Sequence, residues 1–332
     1  MHHSWQQKKY FNYNKLSNIQ KSFNNKQYNY NFQHDLIPVI DDFENINCQE
    51  IYNLFYKERG AIIFKNIYNK NLMEKYNTWC INNIENAKKD KNNTHPKQKD
   101  KYLINDLLTR LLNTDIDLFK KIVLNEKLLK IMDIILGFGC YGSCTGHWIN
   151  PGGDRQQSHV DYPIHVGSGK FWENSVDKLK SLTTREQINK IFPFFSFQLL
   201  IACDKMNIKN GSTEVVPGSH LIDDIDVFIH SKNVYNFFED KFINVDLEQG
   251  DLLIFNRRLV HRGGKNLSLK RRNSIIIQSV YLFGFGQEII EYEKIKNILE
   301  KDEWYNCLSI KEKKNILLRF KQPYPIDVKK NA

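Results

Sequence analysis

Residues 250–266 read GDLLIFNRRLVHRGGKN: a tight turn, an apolar strand, a second turn, then a short strand that carries His261 just before a glycine pair. The same texture extends in both directions. Beyond Gly139 the strand-like runs are CTGHWIN (144–150), QQSHVDY (156–162), FFSFQLLIAC (194–203), STEVVP (212–217), FINVDL (242–247), DLLIF (251–255), LVHR (259–262) and NSIIIQSVYLF (273–283). NPGGD, NIKNGS, EQGD and GGKN separate them, and all are turn chemistry. Upstream the pattern is helical. CQEIYNLFYKERG (48–60) sets Ile51, Leu54 and Phe55 on one face and stops at Gly60, and NKNLMEKYNTWCINNI (69–84) repeats Leu72, Tyr76 and Trp79 or Cys80 at helical spacing. Leu103 to Leu136 carries two or three more amphipathic helices, the apolar AIIF (61–64) reads as a strand, and KKDKNNTHPKQKDK (88–101) reads as a charged solvent loop. About eight short strands after a helical preface predict a mainly β fold with flanking helices, an antiparallel barrel or jelly roll.

The chain has 332 residues, 41% of them hydrophobic, enough for one large domain. Residues 1–35 are rich in Asn, Gln, Lys and Tyr without an apolar period and read as an arm; residues 291–332 read as a helical extension with a surface tail. The net charge of +10 is compatible with an anionic or nucleic-acid partner, but Lys and Asn abound even in featureless segments, so a compositional bias explains it more simply. No window has the apolar length of a membrane span, and the first residues lack the apolar core of a secretory signal, so a soluble, cytoplasmic protein without a membrane partner is expected. The six cysteines follow neither a disulfide-scaffold nor a zinc-ribbon spacing, and most are expected to be reduced, buried thiols.

His159 and Asp161 stand two apart on an extended run, so both side chains project to one side and can address one object, such as a metal ion. Holding iron on one face takes a third protein ligand. His2, His3, His34 and His95 lie in polar or low-complexity stretches and His230 in a polar loop, which leaves His147, His165, His220 and His261; the last has the strongest context. Eleven residues later Arg272 opens an apolar strand, with Ser274 on its face. An arginine at the mouth of an apolar barrel demands an anion, and a dicarboxylate co-substrate fits its forked guanidinium. Arg271, its neighbour, falls on the opposite face.

In this order the HxD at 159–161, NGSTEVVPGSH at 210–220, GDLLIFNRRLVHRGGKN and RRNSI at 271–275 resemble the phytanoyl-CoA dioxygenase family of Fe(II)- and 2-oxoglutarate-dependent oxygenases, over residues 36–290. The resemblance implies a double-stranded β-helix (a cupin-like jelly roll) in which His159, Asp161 and His261 hold Fe(II). It further implies that Arg272, with Ser274, takes the distal carboxylate of 2-oxoglutarate, and that O2 is consumed to hydroxylate a small or medium-sized metabolite with release of succinate and CO2; the positive charge balance favours an anionic one. Related halogenases lack the carboxylate; Asp161 therefore favours oxygenation. Gln157 shares the face of His159 and is expected beside the metal. Tyr162 and His165 either line the substrate cavity or pack the loop. Gln198 interrupts a buried strand and must find a partner, in the cavity or on a neighbouring strand. One of His147 and Trp148 faces inward, and His220 reads as a turn residue. Two other readings stay open: a cupin-like metal protein that is not an oxygenase, which has no need of Arg272, and an oxygenase acting on nucleic acid, which needs a basic track and stacking aromatics.

Overall fold

A computed structural model describes residues 37–89, 101–161, 196–222, 238–281 and 292–320. The arm at 1–35, Tyr162, His165 and the tail beyond Phe320 lie outside the described residues.

Among the described residues, two sheets carry the architecture. The larger has seven strands: β1 (Val39–Ile40), β2 (Ala61–Phe64), β3 (Lys101–Ile104), β4 (Gly139–Ile149), β5 (Ser196–Ala202), β8 (Leu252–Asn256) and β10 (Arg272–Tyr281), in the order β1-β2-β8-β5-β10-β4-β3. The smaller consists of β6 (Thr213–Val215), β7 (Ile243–Asn244) and β9 (His261–Gly263), in the order β7-β6-β9. All pairings are antiparallel except β1 with β2.

Period-two alternation gives the large sheet two different faces. On one, Ile62, Phe64, Phe197, Leu199, Ile201, Leu252, Ile254, Ile275 and Ile277 join the main apolar core. Helices cover that face: α1 (Cys48–Asn53), α2 (Lys70–Lys89), α3 (Leu107–Thr114), α4 (Ile116–Val123) and α5 (Glu126–Leu136) contribute Ile51, Met73, Leu111, Phe119 and Ile131 to the same core. The intervening residues Ala61, Ile63, Leu200, Ala202, Leu253 and Phe255 turn the other way and pack with Val215, Val245, Leu247 and Leu259 in a second core between the sheets. A polar cavity opens in that same layer.

Local chemistry sets the boundaries. Asn47, Asp115 and Asn125 cap α1, α4 and α5 with side-chain oxygens. α6 (Tyr292–Leu299), α7 (Glu303–Cys307) and α8 (Ile310–Leu318) follow the sheets, and α8 opens on a Ser309–Glu312 capping box. Gly250 adopts φ +95°, and a β-carbon there would run into the carbonyl of Tyr68. The tight turn it makes is held by the buried carboxylate of Asp251, which accepts from the backbone N–H groups of Glu248 (2.8 Å) and Asn66 (3.0 Å) and from Lys65 Nζ (2.5 Å).

Three expectations need correction. The helix from 48 does not run unchanged to Gly60: Leu54–Glu58 widens to π geometry, because both Arg59 N–H and Gly60 N–H reach back to the carbonyl of Leu54. Residues 101–104 form the edge strand β3 on β4 rather than the end of a solvent loop or the start of a helix, which buries Lys101. The described part of the run, 156–161, forms a single bridge, at His159, instead of a strand. Four of the six cysteines are buried, while Cys48 and Cys307 are exposed; none is in a disulfide.

Candidate metal centre and anion pocket

The bridge at His159 brings together residues more than a hundred positions apart. His159 N–H donates to the carbonyl of His261 (3.0 Å) and His261 N–H to that of His159 (2.9 Å). On either side, Gln156 N–H reaches Gly263 O and Asp161 N–H reaches Arg257 O, both at 2.8 Å. The HxD run is thus sewn onto β9 and onto the turn before it.

The side chains converge. Every pair of potential ligand atoms from His159, Asp161 and His261 lies within 4.8 Å, with His159 Nε2 3.7 Å from Asp161 Oδ1 and His261 Nε2 3.6 Å from Asp161 Oδ2. The tautomers are fixed by backbone carbonyls, which only accept: His159 Nδ1 donates to Gln157 O (2.8 Å) and His261 Nδ1 to Leu259 O (2.9 Å). Both Nε2 lone pairs are left facing the carboxylate, the arrangement a metal-binding imidazole requires. Burial, reinforced by His261, lowers the pKa of His159 to about 4, so the ring is neutral at ordinary pH. Burial pushes Asp161 up, but His261, His159, Arg257 and the bond from Gln198 together outweigh it and hold the carboxyl below its ordinary value.

Two groups steady Asp161. Gln198 Nε2 donates to Oδ2 at 3.0 Å, and the buried Arg257 donates to the backbone carbonyl at 3.0 Å while it also bonds Ser196 Oγ at 3.2 Å. Arg257 was not visible in the sequence as a site residue, since its NRR turn reads as generic turn chemistry.

The triad stands in a cavity of about 350 Å³ whose lining includes His147, Gln156, Gln198, Thr213, Phe255, Lys101, Arg272 and Ser274. Arg272 and Ser274 project from β10 beside the triad, whereas Arg271 stacks on Trp148, 4.6 Å from guanidinium carbon to ring centre. Of the pair on β4, His147 faces the cavity and Trp148 the helical core. Gln157 is exposed and absent from the lining; it meets His159 through its carbonyl, and the amide beside the ring is that of Gln156, with Nε2 3.5 Å from His159 Nε2. The strand alternation that placed Gln157 inward fails because the segment forms only one bridge. Gln198 resolves to a partner of Asp161. His220 packs its ring on Gly60, away from the triad, and burial lowers its pKa to about 4.

Arg272 is fully buried; among the described residues no carboxylate pairs with it, and its one acceptor is the sulfur of Met206 at 3.6 Å. Burial lowers its pKa to about 10. Lys101 lines the same cavity, also without a carboxylate partner among the described residues, and burial together with Arg272 lowers it to about 7. Nothing in a lysine-rich run marked this lysine out; only the pairing of β3 with β4 buries it.

The chain matches the family model "Phytanoyl-CoA dioxygenase (PhyH)" over residues 56–274, about two thirds of its length. Dioxygenase aneA of Aspergillus aculeatus is 28% identical over 239 residues, covering 68% of this chain and 71% of that protein. Dioxygenase trt7 of Aspergillus terreus is 25% identical over 220 residues, 63% of this chain, and the match spans 65% of the length of trt7. Among solved structures, the non-heme alpha-ketoglutarate-dependent carbocyclase SnoK from nogalamycin biosynthesis aligns with a TM-score of 0.53 at 14% identity, over 80% of this chain and 92% of that one, which speaks to the fold. The chain belongs to the phytanoyl-CoA dioxygenase family of iron- and 2-oxoglutarate-dependent enzymes.

Proposed function

We infer that the protein is an Fe(II)- and 2-oxoglutarate-dependent dioxygenase that hydroxylates a small or medium-sized metabolite with release of succinate and CO2, and that its two sheets are the halves of a double-stranded β-helix. One observation carries the reading: a single cavity holds a His–Asp–His triad and, beside it, the buried guanidinium of Arg272, which makes no ion pair among the described residues. Burying an unpaired cation costs on the order of several kcal/mol, so the pocket is complete only with an anion in it. A dicarboxylate supplies one carboxylate to the guanidinium and leaves the other end free for the metal. A cupin-like protein without this co-substrate has no use for Arg272, and that favours the oxygenase over the alternative.

The donor set fits ferrous iron: two imidazoles whose Nδ1–H groups are held by backbone carbonyls, leaving Nε2 free, and one carboxylate. His159, Asp161 and His261 would hold the ion, Arg272 and Ser274 the distal carboxylate of 2-oxoglutarate, with Lys101 adding charge to the same pocket. When bound, iron would activate O2, which is the oxidant, and 2-oxoglutarate would supply two electrons as it is decarboxylated to succinate and CO2. The chain's own groups bind and orient. Gln198 and Arg257 fix the plane and the backbone of Asp161, the carbonyls of Gln157 and Leu259 aim the two imidazoles, and the apolar layer around Leu200 and Phe255 limits water. Tyr162 and His165, directly after the HxD run, belong to the segment we assign to substrate contact. The basic balance of the chain supports an anionic substrate.

The test is turnover in ¹⁸O2 with Fe(II), 2-oxoglutarate and fractionated metabolite pools. Hydroxylation predicts succinate formation matched by one labelled oxygen in the product, and loss of both in His261→Ala. Succinate without label in the product would replace hydroxylation by another oxidation; product formation indifferent to 2-oxoglutarate would overturn the oxygenase assignment.

A further inference from the structure

Two neighbouring loops hold apolar side chains out into water. Ile208 is 59% exposed, Leu267 71% and Leu269 96%. Single exposed leucines are ordinary, but these three belong to one surface, because Leu267 N–H donates to the carbonyl of Lys209 (2.9 Å) and Asn210 bridges Asn266.

The loops are built, not slack. Asn266 is fully buried and its Nδ2 donates to Lys270 O (2.9 Å), Asn150 O (3.2 Å) and Ile149 O (3.3 Å). Its Oδ1 accepts from Ser268 N–H (3.0 Å) and Ser268 Oγ (2.7 Å), and Ser268 Oγ in turn bonds Lys270 O (2.8 Å). A turn fastened this firmly fixes Leu267 and Leu269 on the outside, where they gain nothing for folding.

Around the leucines stand cations. Lys209, Lys265 and Lys270 are exposed, and Arg271 is half-buried on Trp148. Lys265 has the exposed Asp154 at 3.9 Å, while neither Lys209 nor Lys270 has an ion pair among the described residues. The stretches 207–210 and 265–271 contain no acidic residue, and the whole chain carries +10. Apolar tips within a basic collar match an anionic bilayer surface in both layers: side chains that enter the acyl boundary and ammonium groups level with the headgroups.

We propose that the 207–210 and 265–271 loops form a peripheral docking surface for anionic phospholipid bilayers. No helix among the described residues is long and apolar enough to cross a membrane, and this contact asks for none: the protein lies on the surface. The loop at 265–271 runs directly into Arg272, so docking places the β9–β10 connection beside the cavity next to the lipid. The inference does not depend on the reaction assigned to the cavity.

Co-sedimentation of the full chain with vesicles tests it, comparing pure phosphatidylcholine with phosphatidylcholine containing phosphatidylserine. Binding to the serine-containing vesicles is expected, with little to the neutral ones. Lys209→Gln with Lys270→Gln should weaken binding by about 25-fold, at roughly fivefold per lysine. Leu267→Ser with Leu269→Ser should weaken it by about tenfold or more, with unchanged thermal unfolding and unchanged succinate formation in vesicle-free solution. No binding to anionic vesicles, equal binding to neutral ones, or binding indifferent to the leucine pair would overturn the proposal. So would a concentration-dependent dimer that the leucine variant abolishes while vesicle binding stays absent, which would make the surface a contact between protein copies.

Discussion

Gln198 Nε2 donates to Asp161 Oδ2 at 3.0 Å, and through that bond the centre of the large sheet holds the one acidic member of the triad. Without it the carboxylate loses the donor that fixes its plane, though His159 and His261 keep their carbonyl acceptors. Partners of metal ligands are typically worth about 10- to 100-fold in metal affinity. Gln198→Ala should therefore weaken binding of a redox-stable surrogate such as Mn(II) by about that factor with little change in fold. Titration of both proteins, with circular dichroism as the folding control, checks it; equal affinities would return Gln198 to a substrate contact.

The proposed co-substrate pocket predicts a proton count. Burial and the neighbouring Arg272 lower Lys101 to about 7, so near pH 8 it is mostly neutral in the free protein. A bound diacid brings negative charge and raises the pKa again, and 2-oxoglutarate binding near pH 8 should take up close to one proton. Calorimetry in buffers of different ionisation enthalpy reads this directly, and the uptake should vanish in Lys101→Met. Arg272→Ala should keep metal binding while raising the 2-oxoglutarate requirement by about 100-fold, the scale of losing one partner of a buried charge pair.

Acid should destabilise the protein in a definite window. Burial lowers His220 to about 4, so between about pH 6.5 and pH 4 the unfolded chain binds a proton that the folded chain refuses. The sign is that of a buried neutral histidine: stability is full above the unfolded value and falls as pH drops towards the folded one, by on the order of 3 kcal/mol. His159 acts in the same sense. Urea unfolding at pH 7 and pH 4.5 should show a smaller loss in His220→Gln than in wild type; an equal loss would assign the acid sensitivity elsewhere.

Gly250 gives a stability test apart from the chemistry. Its φ of +95° and the closeness of the Tyr68 carbonyl leave no room for a side chain, so Gly250→Ala should cost about 2–4 kcal/mol in denaturant unfolding. A loss under about 1 kcal/mol would mean that the turn relaxes.

Residues 250–266 announced their own structure because each local signal agreed: a glycine turn, a short continuous apolar run and a second turn in succession. His159 and Asp161 were legible for the same reason, two polar groups with one gap on an extended run. What escaped depends on pairing across long separations. Lys101 is buried only because β3 lies on β4, and Arg257 matters only because its carbonyl and guanidinium close on Asp161 from 96 residues away. Gln157 was misplaced by a neighbouring position because a single bridge does not impose the alternation of a full strand. The widened turn at Leu54–Glu58 left no compositional mark.

The central claim is that His159, Asp161 and His261 share one ferrous ion at the end of a pocket made for a diacid. Anaerobic titration with Fe(II) and then 2-oxoglutarate tests it most directly, through the weak visible charge-transfer absorption of a ferrous 2-oxo acid chelate. The band should rise to one equivalent in the wild-type protein, vanish in His261→Ala, and need far more 2-oxoglutarate in Arg272→Ala. A protein that binds iron yet shows no band at saturating 2-oxoglutarate, or a band that survives the loss of His261, would contradict the account.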